Sequence, residues 1–217
     1  FNGNTLNTSN ANWTGGISQS ALYFNGTSSY VNILPSPSLD IDLDAVSISA
    51  WIKLEELPSQ MPDDYGPIYD SDEDYYVLYL DKANEELRFK VKDGLGLVSR
   101  PGIPQSDLIL NQWIHVAGIY NGKEAMIYLD GELIDSHATA GIGVLGSNQN
   151  AAIGRDNGNY FKGSIDELKI YERPLSRQEV VNQYEMNFSS CNLNENFDYA
   201  LSSYYSSVHD DISECPP

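Results

Sequence analysis

Between residues 20 and 171 the chain is a succession of short period-two or all-apolar runs, punctuated by Asn-Gly and Asp-Gly pairs. Alternation puts every second side chain on one face, so such runs form half-buried strands. Asn-Gly and Asp-Gly supply the positive φ values that tight hairpins need. Residues 21–25 and 29–33 flank Asn25-Gly26 and read as a hairpin; residues 46–54 alternate small polar with large apolar side chains. Residues 75–80 and 86–92 pair next, and the strict alternation of the second leaves one of its faces in water. A meander follows: 113–120, Asn121-Gly122, 124–129, Asp130-Gly131, 132–135. Residues 151–154 and 163–171 are the last strands. This is an all-β chain, a two-sheet antiparallel β-sandwich or a barrel rather than an α/β fold.

One helix is predicted, short and C-terminal. Ser176 and Glu179 form an S-x-x-E capping box, and Val180, Val181 and Tyr184 supply an apolar stripe to dock on the sandwich. Residues 1–185 are therefore assigned to one domain, with an irregular lead-in containing Trp13. Residues 186–217 hold no Lys or Arg and read as an acidic Ser/Tyr-rich tail or linker. Cys191 and Cys215, the two cysteines, lie in that tail. In an oxidising compartment they could close a loop of about 25 residues, worth roughly 3–4 kcal/mol; unpaired thiols are the alternative.

With 12 Lys+Arg against 31 Asp+Glu the net charge is −19, which disfavours nucleic acid and anionic membrane surfaces as partners. A hydrophobic share of 41% and an aromatic share of 11% suffice for a core and argue against disorder. No apolar run approaches the roughly 20 residues that cross a bilayer. The chain starts at Phe1, without an initiating Met, and is expected to be a piece of a longer protein tethered to further domains. Sequons at Asn7, Asn12, Asn25 and Asn187 matter only in a eukaryotic secretory pathway.

Taken in order, Ala21-Leu-Tyr-Phe-Asn-Gly-Thr-Ser-Ser-Tyr-Val31, Val46-Ser-Ile-Ser-Ala-Trp-Ile-Lys53, Trp113-Ile-His-Val-Ala117, Ile127-Tyr-Leu-Asp-Gly131, Ile153-Gly154 and the run from Phe161 to Ser176 resemble a laminin-G-like, concanavalin A-like jelly-roll domain, related in fold to pentraxins. The resemblance spans about residues 20–185. It implies a jelly roll of two antiparallel sheets, ligands on a concave face or the loop rim, and a structural calcium ion. Fold alone does not select among glycan binding, protein adhesion and structural roles.

Two calcium sets follow from the resemblance. Calcium takes six to eight oxygen ligands. On the rim, Asp72 and Asp74 of the acidic run 70–74 would meet Asp156 and Asn157, although Arg155 stands where a further acid would help. Alternatively, Asn25 and Gly26 of the early turn would meet Asp166 of the last long strand. A solvated acidic loop and a side chain capping the turn are the plainer readings of the two sets.

A sugar ring presents a C–H face to an aromatic side chain and hydroxyls to polar ones. Tyr65, Tyr69 and Tyr160, with Asp63, Asp64, Arg155 and Asn159, are the expected saccharide site. Trp51 and Trp113 are assigned to packing and His115 to a structural strand position. Glucanases of the concanavalin A-like kind that the chain resembles place two Glu and an Asp on one strand as E-x-D-x-x-E, with nucleophile and general acid about 5 Å apart. The nearest run, Asp40-Ile-Asp-Leu-Asp44, lacks both Glu residues. The expectation is a secreted or cell-surface, calcium-stabilised, non-catalytic module that recognises a glycan or polysaccharide, or else a cell-surface protein.

Overall fold

The computed structural model describes residues 6–9, 11–34, 45–71, 75–92, 95–139 and 151–189. The first strands are β1 (Leu6–Ser9), β2 (Asn12–Gly15), β3 (Ser20–Asn25), β4 (Tyr30–Ile33), β5 (Val46–Leu54) and β6 (Tyr65–Asp70). Next come β7 (Tyr76–Asp81), β8 (Glu86–Lys92), β9 (Val98–Ser99), β10 (Gly102–Pro104), β11 (Trp113–Tyr120), β12 (Glu124–Leu129) and β13 (Glu132–Ala138). The chain continues through β14 (Ala151–Ile153), β15 (Arg155–Asp156), β16 (Asn159–Tyr160) and β17 (Lys162–Tyr171) to the helix α1 (Arg177–Ser189).

Two antiparallel sheets stack as a jelly roll. One runs β1-β4-β14-β6-β7-β8-β10, with β9 also on β8; the other runs β13-β12-β11-β5-β17-β3-β2. The β7–β8 pair and the β11–β12–β13 meander form as predicted. Asp130 and Gly131 take φ values of 49° and 85°, the doubly positive pair a two-residue hairpin needs.

The Asn25-Gly26 segment is different. β3 belongs to the seven-stranded sheet and β4 to the eight-stranded one, so the predicted hairpin is instead a corner between sheets. The Asn25 side chain builds that corner: Oδ1 accepts the backbone N–H groups of Thr27, Ser28 and Ser29 at 3.0, 2.9 and 3.1 Å. Local sequence specifies the turn, but the partner of each strand is set by packing.

Alternation decides what faces inward. Ile48, Ala50, Ile52 and Leu54 of β5 and Ile114 and Val116 of β11 meet Ile68, Leu78, Leu80, Phe89 and Val91 of the other sheet, all buried. The opposite faces of β5 and β11 carry Ser47, Ser49, Trp51, His115, Ala117 and Ile119, and α1 covers them. Val180 is fully buried against Ala117, Ile119 and Tyr128 in this second cluster. Trp51 is a packing residue as expected, but its ring is stacked on Tyr184 of α1 rather than in the sandwich core. Trp113 is half-buried beneath the Lys53 ammonium, 5.1 Å from its ring centroid.

The capping box forms. Glu179 Oε2 accepts the Ser176 N–H at 2.8 Å, and Ser176 Oγ accepts the Glu179 N–H at 3.3 Å. Arg173 and these Ser176 bonds hold the Glu179 carboxyl at about 2. The helix continues past Glu185 to Ser189.

Candidate binding surface

On the side of the eight-stranded sheet turned away from the sandwich core, strand register lines up three rows of side chains, of which Pro67, Asp70, Val77, Tyr79, Lys90 and Gly102 are buried and the margins partly exposed. Neighbouring strands lie about 4.8 Å apart, so residues in a row are lateral neighbours. Asn32, Ala152, Asp70, Val77 and Lys90 form the first row across β4, β14, β6, β7 and β8. Pro67, Tyr79, Arg88 and Gly102 form the second, and Tyr65, Asp81, Glu86 and Pro104 the third. These are the positions alternating with core residues such as Leu78, Leu80, Leu87 and Phe89, which is why polar and aromatic groups share one face.

The centre of this face is rigid. Tyr65 and Tyr79 stack with centroids 4.4 Å apart. Arg88 Nε donates to Glu86 Oε2 at 2.7 Å, and its Nη1 lies 3.5 Å from Asp81 Oδ2. Burial alone would lower the Arg88 pKa, but Glu86, Tyr79 and Asp81 outweigh it and raise it. Burial pushes the Tyr79 phenol up, reinforced by Asp81 and opposed by Arg100 and Arg88, so it remains a neutral donor.

At the other end of the face, the chain leaves β14 through Gly154 (φ +79°), whose N–H donates to the Ile68 carbonyl at 3.1 Å. The β15–β16 hairpin that follows turns on Asn157 and Gly158, both at positive φ, and packs on β6. It sets Arg155 over the Tyr30 ring, 3.8 Å from the centroid, with Nη2 donating to Asn32 Oδ1 at 3.2 Å. The guanidinium is thereby flattened against the sheet, and the Arg155 residue remains partly open to solvent. The partly exposed Tyr30, Asn32, Arg155 and Tyr160 can exchange hydrogen bonds with a polyhydroxylated ligand while packing against its apolar side.

The family profile described as the concanavalin A-like lectin/glucanases superfamily, in its laminin G form, matches residues 25–181. The chain belongs to this family. Among solved structures, this laminin G-like domain is similar to the binding domain of Paraclostridial Mosquitocidal Protein 1, with a TM-score of 0.70 and 20% identity over 86% of this chain and 48% of that one. It is also similar to the botulinum neurotoxin serotype G binding domain, with a TM-score of 0.69 and 18% identity over 87% of this chain and 47% of that one. The receptor binding domain of botulinum neurotoxin D aligns with a TM-score of 0.69 and 15% identity over 85% of this chain and 48% of that one. These likenesses establish the fold, and the laminin G-like domain spans about half the length of each toxin domain. Comparison with curated protein sequences finds no match.

The laminin G-like frame brings some of the predicted saccharide residues together and separates others. Arg155, Asn159 and Tyr160 share the β15–β16 hairpin, with Asn159 Nδ2 donating to the Asp156 carbonyl at 3.1 Å. Asp63, Asp64 and Tyr65 sit at the opposite end of β6, where Asp64 and its neighbours meet the end of β7. Ile68, which anchors the hairpin, is three positions from Tyr65, about 10 Å along an extended strand. Tyr69 is the correction. The β6 bulge turns it inward, where it is 1% exposed and stacked on Tyr76, so it offers no face to a ligand. Tyr30, Asn32 and Arg88 were missed. Alternation with Val31 and Ile33 carried the signal for the first two, since those are the core positions of β4.

The early-corner calcium set does not fit an ion. Lys162, not Asp166, stands opposite Asn25, and four positions of β17 place Asp166 about 13 Å away. Asn25 Oδ1 is taken up by backbone N–H groups, and Lys162 fills the space beside Gly26. Asp166 Oδ2 accepts the Ser18 N–H at 3.1 Å and Oδ1 accepts the Glu167 N–H at 2.8 Å. Burial raises the Asp166 pKa, and these N–H groups oppose the rise. In the rim set, Asp156 lies on β15 and Asn157 serves as a turn residue, while Asp72 and Asp74 lie outside the described residues. Among the described residues no three His, Cys, Asp or Glu side chains gather around a metal-sized space. Asp40, Asp42, Asp44, Cys191 and Cys215 also lie outside the described residues, as does the tail beyond residue 189.

Proposed function

We propose that this laminin G-like domain is a non-catalytic glycan-recognition module of a larger secreted or cell-surface protein. The observation that carries the reading is Arg155 held flat over Tyr30 and bonded to Asn32, all three partly exposed at one end of the eight-stranded sheet. Such a platform costs little entropy when a ligand binds, because its side chains are already fixed. The binding and receptor-binding roles named for the similar toxin domains support recognition over chemistry. No helix among the described residues is long and apolar enough to cross a membrane.

A protein partner is the second reading, favoured by Leu95, Leu97 and Val98, which stand 61%, 56% and 39% exposed beside the β8–β9 connection. A glycan array probed with the domain in calcium and then in chelator separates the two. Specific glycan binding that Arg155→Ala and Tyr160→Ala weaken at least tenfold supports the glycan reading. An array without binders, with retention by a cell-surface protein fraction, removes it.

Calcium stabilisation belongs to this proposal through Asp72, Asp74 and Asp156. A metal bound to the native state alone adds about 2.7 kcal/mol at a hundredfold excess over Kd. Thermal melting in calcium should therefore exceed that in chelator by several degrees. Superimposable melts would leave those acids as solvated surface.

A further inference from the structure

The free edge of the seven-stranded sheet carries a second feature that the outer face of the other sheet does not explain. β2 is its outermost strand, and Trp13, opposite Leu22, is 73% exposed. The indole borders a cleft of about 150 Å³ at the open end of the sandwich. Leu22, Ile153, Ile165 and Leu168 give the cleft an apolar floor, while Ser20, Asp166 and Glu167 stand at its polar side. Pockets for whole drug-sized ligands measure about 300–1,000 Å³, so this one admits a single ring or side chain.

The polar side is built, not incidental. Between Asp166 and Lys169 the register of β17 against β5 shifts, and Glu167 takes a φ of +48°, a costly conformation for a residue with a side chain. Asp166 is fixed by the Ser18 and Glu167 N–H groups, and Lys169 Nζ holds Glu167 Oε2 at 2.6 Å. Ionised carboxylates only accept hydrogen bonds, so this side selects a ligand rich in hydroxyl donors and repels an anionic one. An exposed indole beside it selects a ligand with a flat apolar face. A neutral pyranose ring has both properties at once.

We infer that the Trp13 cleft is a saccharide subsite, separate from the Arg155 platform, that stacks one neutral pyranose ring on the indole and takes its hydroxyls on Glu167, with the buried Asp166 holding the bulge that aims it. The inference rests on the glycan reading above. It is tested by titrating the full chain with cellotetraose, maltotetraose, N-acetylchitotetraose and, as an anionic control, a heparin tetrasaccharide, following tryptophan fluorescence and calorimetry. A neutral tetrasaccharide should shift the emission, W13A should weaken its binding at least tenfold, W13F should stay within about threefold, and E167Q should weaken it severalfold. The melting temperature of W13A should stay within about a degree of the parent. The emission change should persist in R155A. Binding that W13A leaves unchanged while R155A abolishes it overturns the subsite and leaves the glycan reading standing. Absence of any tetrasaccharide or array binding overturns both. An apolar dye that competes at Trp13 where no sugar does assigns the cleft to a protein side chain and also overturns the inference.

Discussion

Tyr184 of α1 stacks on Trp51 of β5 with ring centroids 5.8 Å apart and an interplanar angle of 20°. This contact joins the C-terminal helix to the outer face of the seven-stranded sheet. Around it, Ser49 Oγ donates to Gln183 Oε1 at 2.7 Å and Gln183 Nε2 donates to Tyr171 OH at 3.3 Å. Ser47 Oγ holds the approach to the helix, donating to the Arg173 carbonyl and accepting the Leu175 N–H, each at 2.9 Å. Tyr184→Ala removes the stack and opens Trp51 to water. The expected cost is about 2 kcal/mol, combining lost burial with the aromatic pair. For a domain of this size that lowers the melting temperature by roughly 4–8 °C. An unchanged melt would mean that α1 does not stabilise the sandwich.

His115 lies beneath the same helix, 2% exposed, and burial lowers its pKa to about 4 despite a bond to Gln183. Trp51 and Gln183 pack around it, and Lys169 adds to the depression. The unfolded chain takes up a proton near pH 6.5, whereas the folded one resists until about 4, so between those values the unfolded state holds more protons. Stability is therefore fully present above pH 6.5 and falls as the pH drops towards 4, by about 3 kcal/mol in all. Denaturant melts of the parent and of His115→Gln, compared across pH 4 to 7, check this. The difference between them should shrink or reverse on acidification; a constant difference would show that His115 does not titrate in that window.

Gly154 positions the Arg155 platform. At φ +79° an alanine is strained, and its Cβ would strike the Phe24 ring, which is locked edge-on against Phe161 in the core. Gly154→Ala should cost at least about 2 kcal/mol through strain and overpacking together. Because the same turn aims the β15–β16 hairpin, glycan affinity should fall by more than stability alone explains. Binding measured well below the melting temperature separates the two effects.

Why some of this was legible and some not comes down to the range of the interactions. The Ser176–Glu179 box, the Asp130-Gly131 turn and the inward faces of β5 and β11 are specified within a few residues, and each is found where alternation and turn chemistry put it. Tyr69 escaped because its polar, turn-prone surroundings read as a loop, whereas residues 65–70 form β6 and its bulge turns Tyr69 inward. The corner at Asn25 escaped because an Asn-Gly pair is compatible with a hairpin or with a crossover, and only the pairing of β4 with β14 and of β3 with β17 decides. The convergence of Tyr30, Asn32 and Arg155 joins positions over a hundred apart, which no local pattern encodes. Trp13 sat in a polar stretch with no alternation to announce it.

Asn25 offers a last test that separates packing from metal binding. Its Oδ1 accepts three backbone N–H groups and the Thr27 hydroxyl, and Ser29, which closes the corner, is fully buried. Asn25→Ala removes that shared acceptor, at an expected cost of about 1–2 kcal/mol. If the side chain serves the backbone alone, the loss of melting temperature should be the same in calcium and in chelator. Asn25→Asp preserves the acceptor and should recover most of the stability in both. A loss confined to the calcium buffer would instead return Asn25 to an ion and displace the backbone cap as the reason this corner forms.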